Sequence, residues 1–375
     1  MSTLDWQRFP AARFTTDAGQ QTEWDRLNGL QLDLPFLGAN VVAAAIEVFG
    51  NKTEQLLIGS ADGEVVAMLV LVPSGLMRWS TFQPSQMPLG AWVAERRWSP
   101  LDLSRSLLRG PLGLSLGLSI TQIDPLVAVR QDDMPDTLNT DYIDTAWLDI
   151  VGGFDEYWAA RGKNLRQNMR KQRNKLAAEG IVTTLRILRQ AQEMAPVIAR
   201  YGLLESAGWK GNEGTSIHAD NQQGRFYIQL FESAARRGEA IIFEYLFNDK
   251  TAAINLCQLR NGILVVLKTT YDESIPKTLS PAFLLREDEL KHMFASGEVR
   301  RIEYFGRRMD WHTKLTDAYR SLYHLTIFRW PLVKRLASQR RARLEARETR
   351  NHSKPGPKVD DPDAASPAPT TAAAS

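Results

Sequence analysis

Three stretches of this 375-residue chain hold residue types that can do chemistry. In LESAGWKG, Glu205 stands four residues before Trp209, with Lys210 following. Side chains at that spacing share a helix face. An indole excludes water and favours the neutral carboxylic acid, raising its pKa toward working pH. Glu205 is therefore a candidate general base, taking a proton from an attacking group directly or through water. The competing reading pairs Glu205 with Lys210 on the helix surface and makes Trp209 a core plug. In RGKNLRQNMRKQRNK, seven basic residues from Arg161 to Lys175 have no acid among them. Arg166, Arg170 and Arg173 fall on one flank of a thin apolar seam of Leu165, Met169 and Leu176. Such crowding repels itself, and an anionic partner relieves it. Arginine favours phosphate, which its fork can grip at two points. The competing reading is a solvated face. In LKTTYDESIPKTLSPAFLL, Lys268, Tyr271 and Asp272 close a strand, and Ser280 and Pro281 open a helix as cap and first residue. Here the competing reading has Tyr271 and Asp272 capping the strand and Lys268 in solvent.

The elements that must position these residues follow from periodicity and punctuation. Helical text occupies 21–49. The strands at 54–60 and 64–72 meet at Asp62-Gly63, a hairpin signal. A strand follows at 76–82, then a helix near 100–109 and a strand near 115–123. Residues 130–142, polar and carrying Asp and Pro, read as a boundary. Beyond it come a long helix (154–180) ending at Gly180, a strand (181–188) and helices at 190–207 and 222–236. Three antiparallel strands (239–247, 251–260, 263–272) turn at Asn248-Asp249-Lys250 and Asn261-Gly262. A helix (281–296), a strand (300–306), a short helix (310–317) and a strand near 321–329 complete the order. The first half repeats this plan in blurred form: helices, three strands, helix, strand. The expected organisation is a first domain at 1–150, a second at 151–330, a basic helix at 331–350 and a disordered Pro/Ala/Ser/Thr-rich tail at 351–375.

Composition narrows the class. Apolar content of 43% and charged content of 24% are those of a soluble globular protein. A net charge of +3 does not demand a nucleic-acid partner. One cysteine, Cys257, excludes a disulfide framework and fits a reducing compartment; in INLCQL it reads as a small core residue. The N-terminal text lacks the pattern of a secretory signal, and no apolar run reaches the roughly 20 residues of a spanning helix. The five histidines show no metal-ligand spacing, so no metal is expected. No P-loop, dinucleotide fingerprint or nucleophile elbow occurs.

The element order resembles the GNAT acyltransferase fold, an α+β tandem arrangement of mixed, mostly antiparallel sheets flanked by helices. The ordered set KNLRQNMRKQRNKL, LESAGWKGNEGTSI, FYIQLFESAARRGEA and LKTTYDESIPKTLSPAFLL resembles the CelD/BcsL-like acetyltransferases, tandem-GNAT relatives of the Fem aminoacyltransferases. The likeness is strong over 154–315 and faint over 20–150. It implies a degenerate first domain, a catalytic second domain and acyl-CoA, in particular acetyl-CoA, as co-substrate. The acyl arm would pair with exposed strand backbone, and Ser280, Pro281, Ala282, Phe283 and Leu284 would receive the pyrophosphate at a helix N-terminus. It also implies Tyr271 as the acid for the departing thiolate and Lys268 as a holder of an anionic group. Asp272, Trp209, Lys210, Arg166, Arg170 and Lys314 join as substrate contacts. The family usually has Gly where this chain has Ala282, and glycine admits a closer ligand approach. The implied reaction is direct transfer to an amine or hydroxyl, linked to exopolysaccharide or cell-envelope synthesis, in the cytoplasm. Two alternatives stand beside it: a Fem-like aminoacyl-tRNA-dependent transferase, and a non-catalytic GNAT scaffold that binds a partner protein.

Overall fold

The structure is a computed structural model that describes residues 4–207, 217 and 221–340. In the first half run β1 (Asp5–Pro10), α1 (Ala18–Gln31), α2 (Ala39–Phe49), β2 (Gln55–Ala61), β3 (Glu64–Pro73), β4 (Arg78–Thr81), β5 (Trp92–Ala94), α3 (Pro100–Arg109), β6 (Gly117–Ile123) and β7 (Thr137–Asp149). The second half continues with α4 (Phe154–Ala159), α5 (Lys163–Ala178), β8 (Thr183–Leu188), α6 (Ala191–Ala207), α7 (Gln222–Arg236), β9 (Ala240–Phe247), β10 (Lys250–Arg260) and β11 (Ile263–Tyr271). Then come α8 (Pro281–Ser296), β12 (Arg301–Glu303), α9 (Asp310–Thr313) and β13 (Tyr319–Phe328). The expected 351–375 tail and the last part of the basic helix lie outside the described residues; 331–340 is helical.

Local chemistry fixes many of these bounds. Asp62 and Gly63, and likewise Asn261 and Gly262, take positive φ at consecutive turn positions, the geometry that matches strand twist. Ser99 caps α3 by accepting from the Asp102 N–H, with Pro100 at the first position. The long helix expected over 154–180 is broken in two, because Gly162 is extended and caps α5.

The sheet order is β1-β2-β3-β4-β6-β13-β7-β12-β11-β10-β9-β8, with β5 on β3. The duplicated plan is visible: β4 runs parallel to β6 around α3, as β11 runs parallel to β12 around α8. The junction departs from the expected boundary at 150. β7, whose first residues read as a polar linker, is a 13-residue strand that pairs with both β12 and β13. β13, from the end of the chain, pairs with β6 of the first half. Polar side chains conceal β7, yet they find partners: Asn139 donates to the nearby Asp133, and Asp144 accepts from Ser321 on the distant β13.

A buried ionic cluster fastens this junction. Arg320 on β13 grips Asp124 at 2.6 Å and Glu303 on β12 at 2.9 Å. Burial pushes Glu303 up to about 7 against the pull of Arg320. The guanidinium also lies 5.3 Å from the rings of both Trp147 and Phe305.

Candidate active site

The site begins where β11 leaves β12. Only Ile263, Leu264 and Val265 pair with β12. Immediately beyond, β11 carries a bulge: Val266 and Lys268 face consecutive residues, Cys257 and Leu256, of β10. A bulge bends its strand and raises the twist, so the parallel pair opens. A cavity of about 370 Å³ fills the opening. Val266, Leu267 and Lys268 line it with the turn Tyr304–Arg307, Tyr227 of α7, and Gln83–Pro88, Gln122 and Tyr142 of the first half. Two lining residues other than glycine hold positive φ. Gln122 sits in a bulge of β6, and Phe305 centres a tight turn in which the Gly306 N–H donates to the Tyr304 carbonyl. Such backbone persists only where packing imposes it. For Phe305 that packing is the edge of Phe36, 4.9 Å away.

Glu205 is 4% exposed at the end of α6, and its carboxylate accepts from the Ile217 N–H at 2.7 Å. Burial and then the Glu205 charge push the Tyr227 hydroxyl pKa up, which places the carboxylate in the electrostatic neighbourhood of a ring that lines the cavity. Glu205 is thus neither on the outer surface nor itself in the cavity wall. Trp209 and Lys210 lie outside the described residues.

Lys268 and Tyr271 do not share a cavity. Thr269 and Tyr271 alternate to the other face of β11. There the Thr269 hydroxyl donates to Asn255 and lies 3.5 Å from Arg286 Nη2, and the Tyr271 phenol acts electrostatically on Arg286. Tyr271 is 43% exposed at the strand end. Asp272 is the cap of the competing reading. It accepts from the Ser274 N–H at 2.9 Å and pairs with Lys250 at 3.1 Å. Those partners outweigh the effect of burial and hold its pKa below the usual carboxylate range.

The N-terminus of α8 offers fewer free donors than its sequence suggests. Pro281 has none, the Ser280 N–H donates to Gln172 Oε1 at 2.6 Å, and the Phe283 and Leu284 N–H groups both turn back to the Ser280 carbonyl. Ala282 and Leu284 are buried. Beside this turn lies a cavity of about 430 Å³, lined by Phe283, Lys314, Arg161, Asn164, Asn168 and further residues of α5 and α9. The Lys314 ammonium stands 5.3 Å over the Phe283 ring. Arg161 donates to the Leu315 carbonyl, while its buried Nε has no partner among the described residues. Cationic side chains, rather than a row of helix N–H groups, would receive an anion here.

The basic flank of α5 divides. Arg166 and Arg170 are exposed, but Arg173 turns inward to Glu287 at 3.0 Å, Asp288 at 2.7 Å and the Tyr245 hydroxyl at 2.6 Å. Arg173 therefore leaves the phosphate-binding set: its charge is matched by acids of α8, more than 100 residues away in sequence.

Sequence reasoning missed a polar cluster on the α8 side of the opening. Arg286 is buried 3.8 Å from the Trp311 ring, and burial holds its pKa below the usual value. Glu289 accepts from Asn255 at 2.6 Å, and burial pushes it up to about 7 against Arg286 and Asn255. A cavity of about 10 Å³ between them touches Val266 and Tyr304, which also line the larger one. His312 stacks on Trp311 and is held down to about 4 by burial and by Arg286, so it is neutral at pH 7. The available signal was α8 itself: in REDEL, charges occupy positions that a single apolar stripe would have excluded.

A further cavity of about 250 Å³, walled by Trp92, Trp98 and Tyr323, takes no residue from β11 or α8 and stands apart from this site. Among the described residues no three His, Cys, Asp or Glu side chains gather to hold a metal, and no helix is long and apolar enough to cross a membrane. Cys257 is buried, which pushes its thiol pKa up.

Residues 163–313 match the family model described as an acetyltransferase (GNAT) domain. The fold is the GNAT fold, and the class it defines is a GNAT-type acyltransferase. Solved structures are similar at low identity. The C-terminal (DUF2156) domain of a candidate lysylphosphatidylglycerol synthetase from Agrobacterium fabrum has a TM-score of 0.51 at 13% identity, covering 81% of this chain and 92% of that one. A tandem GNAT protein from the clavulanic acid pathway has a TM-score of 0.43 at 14% identity, covering 86% and 98%. FemX has a TM-score of 0.46 at 11% identity, covering 88% and 99%. No curated protein matches the chain.

Proposed function

We propose that the chain transfers an acyl group, acetyl in the first instance, from acyl-CoA to an amine or hydroxyl of an acceptor bound between its halves. The observation that carries this reading is the opening of β11 from β12 at a bulge, with a cavity at the gap. Unpaired β11 backbone is a strand edge to which an amide-bearing arm can add. The CoA phosphates would lie in the cavity beside α8, met by Lys314 and Arg161 next to Ser280–Leu284. The acceptor's nitrogen or oxygen attacks the thioester carbonyl, the C–S bond breaks and CoA leaves as the thiol. Glu205, by way of the Tyr227 hydroxyl or a water, takes the acceptor's proton. Tyr271, on the α8 face, returns one to the sulfur. Holding both reactants at the gap supplies much of the acceleration. Trp209 and Lys210 are proposed to complete the acceptor side, and Lys268 to contact the acceptor. The setting we propose is cytoplasmic synthesis of an envelope or extracellular polysaccharide.

A thiol-reactive dye follows CoA release, and the buried Cys257 contributes little background. Micromolar binding of acetyl-CoA by calorimetry, with acceptor-dependent thiol release, is the expected result. A second reading rests on the exposed Arg166 and Arg170, which suit a polyanion: a Fem-like transferase drawing on aminoacyl-tRNA. Transfer that requires aminoacyl-tRNA, with no acyl-CoA bound, would replace the first reading by the second. Binding of neither donor leaves the partner-binding scaffold.

A further inference from the structure

Three turns from distant parts of the sequence lie side by side at one end of the first-half sheet. They are the β3–β4 turn (74–77), the α3–β6 loop (110–116) and the exit from β13 (329–332). The Leu116 N–H donates to the Met77 carbonyl at 2.6 Å, and the Arg329 N–H donates to the Leu116 carbonyl at 2.9 Å. The Arg329 guanidinium donates to the carbonyls of Leu108, Gly113 and Ser115, which pins the loop on either side of Leu114. Met77 holds a positive φ, which a methionine keeps only where its surroundings impose it. The turns are therefore fixed in place, and what they present is apolar. Leu76 is 86% exposed, Leu114 77% and Trp330 51%, with Met77 and Leu332 exposed beside them. A single exposed leucine is ordinary, but a group contributed by three segments marks a surface that meets something.

The charge around these tips has one sign. Residues 74–78, 108–117 and 328–340 include no Asp or Glu. They do include Arg78, Arg109, Arg335 and Arg340, all exposed and without an ion pair among the described residues. Lys334 is matched, by Asp133 at 3.8 Å. The sequence beyond residue 340, RARLEARETR, adds four arginines against two glutamates. A protein-binding patch gathers its apolar groups in a centre depleted of charge. Here leucines stand at turn tips among cations. That pattern matches the boundary of a bilayer, where leucines enter the acyl region, an indole sits at headgroup level and arginines meet lipid phosphates.

We propose that this end of the sheet docks the chain on an anionic lipid bilayer. Leu76 and Leu114 enter the acyl boundary, Trp330 lies among the headgroups, and Arg78, Arg109 and Arg335 meet phosphates. Among the described residues no helix can span, so the docking is peripheral and reversible. It holds whichever acyl donor or acceptor the active site takes.

The test is co-sedimentation of the full chain with phosphatidylcholine vesicles, pure or mixed with phosphatidylserine, in low and high salt. Binding to the mixed vesicles is expected to be about tenfold or more tighter than to the pure ones, and to weaken in high salt. Leu76→Ser with Leu114→Ser should weaken it at least about tenfold, and Arg78→Gln with Arg109→Gln should remove part of the preference for anionic lipid. Cys257 is buried, so a polarity-sensitive thiol dye can be placed at one chosen position. On the Leu114→Cys chain its emission should shift to the blue when mixed vesicles are added. On the Val182→Cys chain, exposed in the second half, it should not. Absence of binding to mixed vesicles would overturn the inference. So would binding that survives the double leucine substitution with a silent dye on the Leu114→Cys chain, because adsorption would then belong to the basic C-terminal helix alone. A dimer in sedimentation velocity without lipid, dissolved by the same double substitution, would instead assign this end to a second copy of the chain.

Discussion

The Glu205 carboxylate accepts the Ile217 N–H at 2.7 Å, so the residue proposed as base is also the tether that ends the segment following α6. The two roles separate by substitution. Glu205→Gln keeps an oxygen acceptor for Ile217 but cannot take a proton. It should fold and bind acetyl-CoA normally while transfer slows about 10²- to 10⁴-fold. Glu205→Ala orphans the Ile217 N–H and should cost about 1–3 kcal/mol of stability besides. A Gln variant with wild-type turnover would reduce Glu205 to the tether alone.

Arg173 and its neighbours on α5 should behave as two classes. Arg173→Gln leaves Lys291 as the one remaining cation on Glu287 and Asp288 and should destabilise the protein by about 1–2 kcal/mol in denaturant titration, discounted for partial exposure. Arg166→Gln with Arg170→Gln should leave stability unchanged within about 0.5 kcal/mol. If that pair meets phosphate, acyl-CoA affinity falls in low salt and the loss shrinks in high salt.

Lys314 is the sharpest probe of the donor's anionic end. Lys314→Gln should weaken acetyl-CoA binding about tenfold, the worth of one charge-assisted contact. Affinity for acetyl-pantetheine, which lacks the nucleotide phosphates, should not change. Equal losses for both ligands would place Lys314 elsewhere in the reaction.

Glu289 gives a pH signature. Its folded pKa, about 7, lies above the unfolded value near 4.5. Below the unfolded value both states are protonated and the group is neutral in its effect. As pH rises from about 4.5 to 7 the unfolded chain releases its proton first, so stability falls, by up to about 3 kcal/mol. Glu289→Gln should remove its share of the decline, Glu303 with its similarly raised pKa supplying another, without loss at pH 5, because the amide can still accept from Asn255. A slope identical to that of the wild type would mean that Glu289 is ionised throughout and that Glu303 carries the decline.

Where local chemistry dictated structure, the sequence was readable to the residue. α7 begins at Gln222 as expected, α8 begins at Pro281 although the Ser280 side chain makes no cap hydrogen bond, and the paired positive-φ turns lie at Asp62-Gly63 and Asn261-Gly262. Where structure depends on distant partners, it was not. β7 looks like a linker because the strands that pair with it, β12 and β13, lie far away in sequence. Arg173 looks free because Glu287 and Asp288 are far away in sequence. The divergence of Tyr271 from Lys268 was legible, since residues three apart on a regular strand point to opposite faces, whereas the bulge just before Lys268 is announced by no residue type.

The placement of β13 sets the order in which the chain can be finished. Its partner β6 ends at Ile123 and is made early, yet the strand that covers it emerges only after Tyr319. On the ribosome, β6 must therefore wait through the synthesis of the entire second half with one edge uncovered, an invitation to pair with another nascent chain. Closure links segments about 200 residues apart, so it is slow by its topology. The last strand acts as a clasp. Until it seats, Arg320 has not reached Asp124 and Glu303, and neither half has its complete sheet. A chain stopped short of residue 319 loses more than its own end, because it also releases an edge laid down at the beginning.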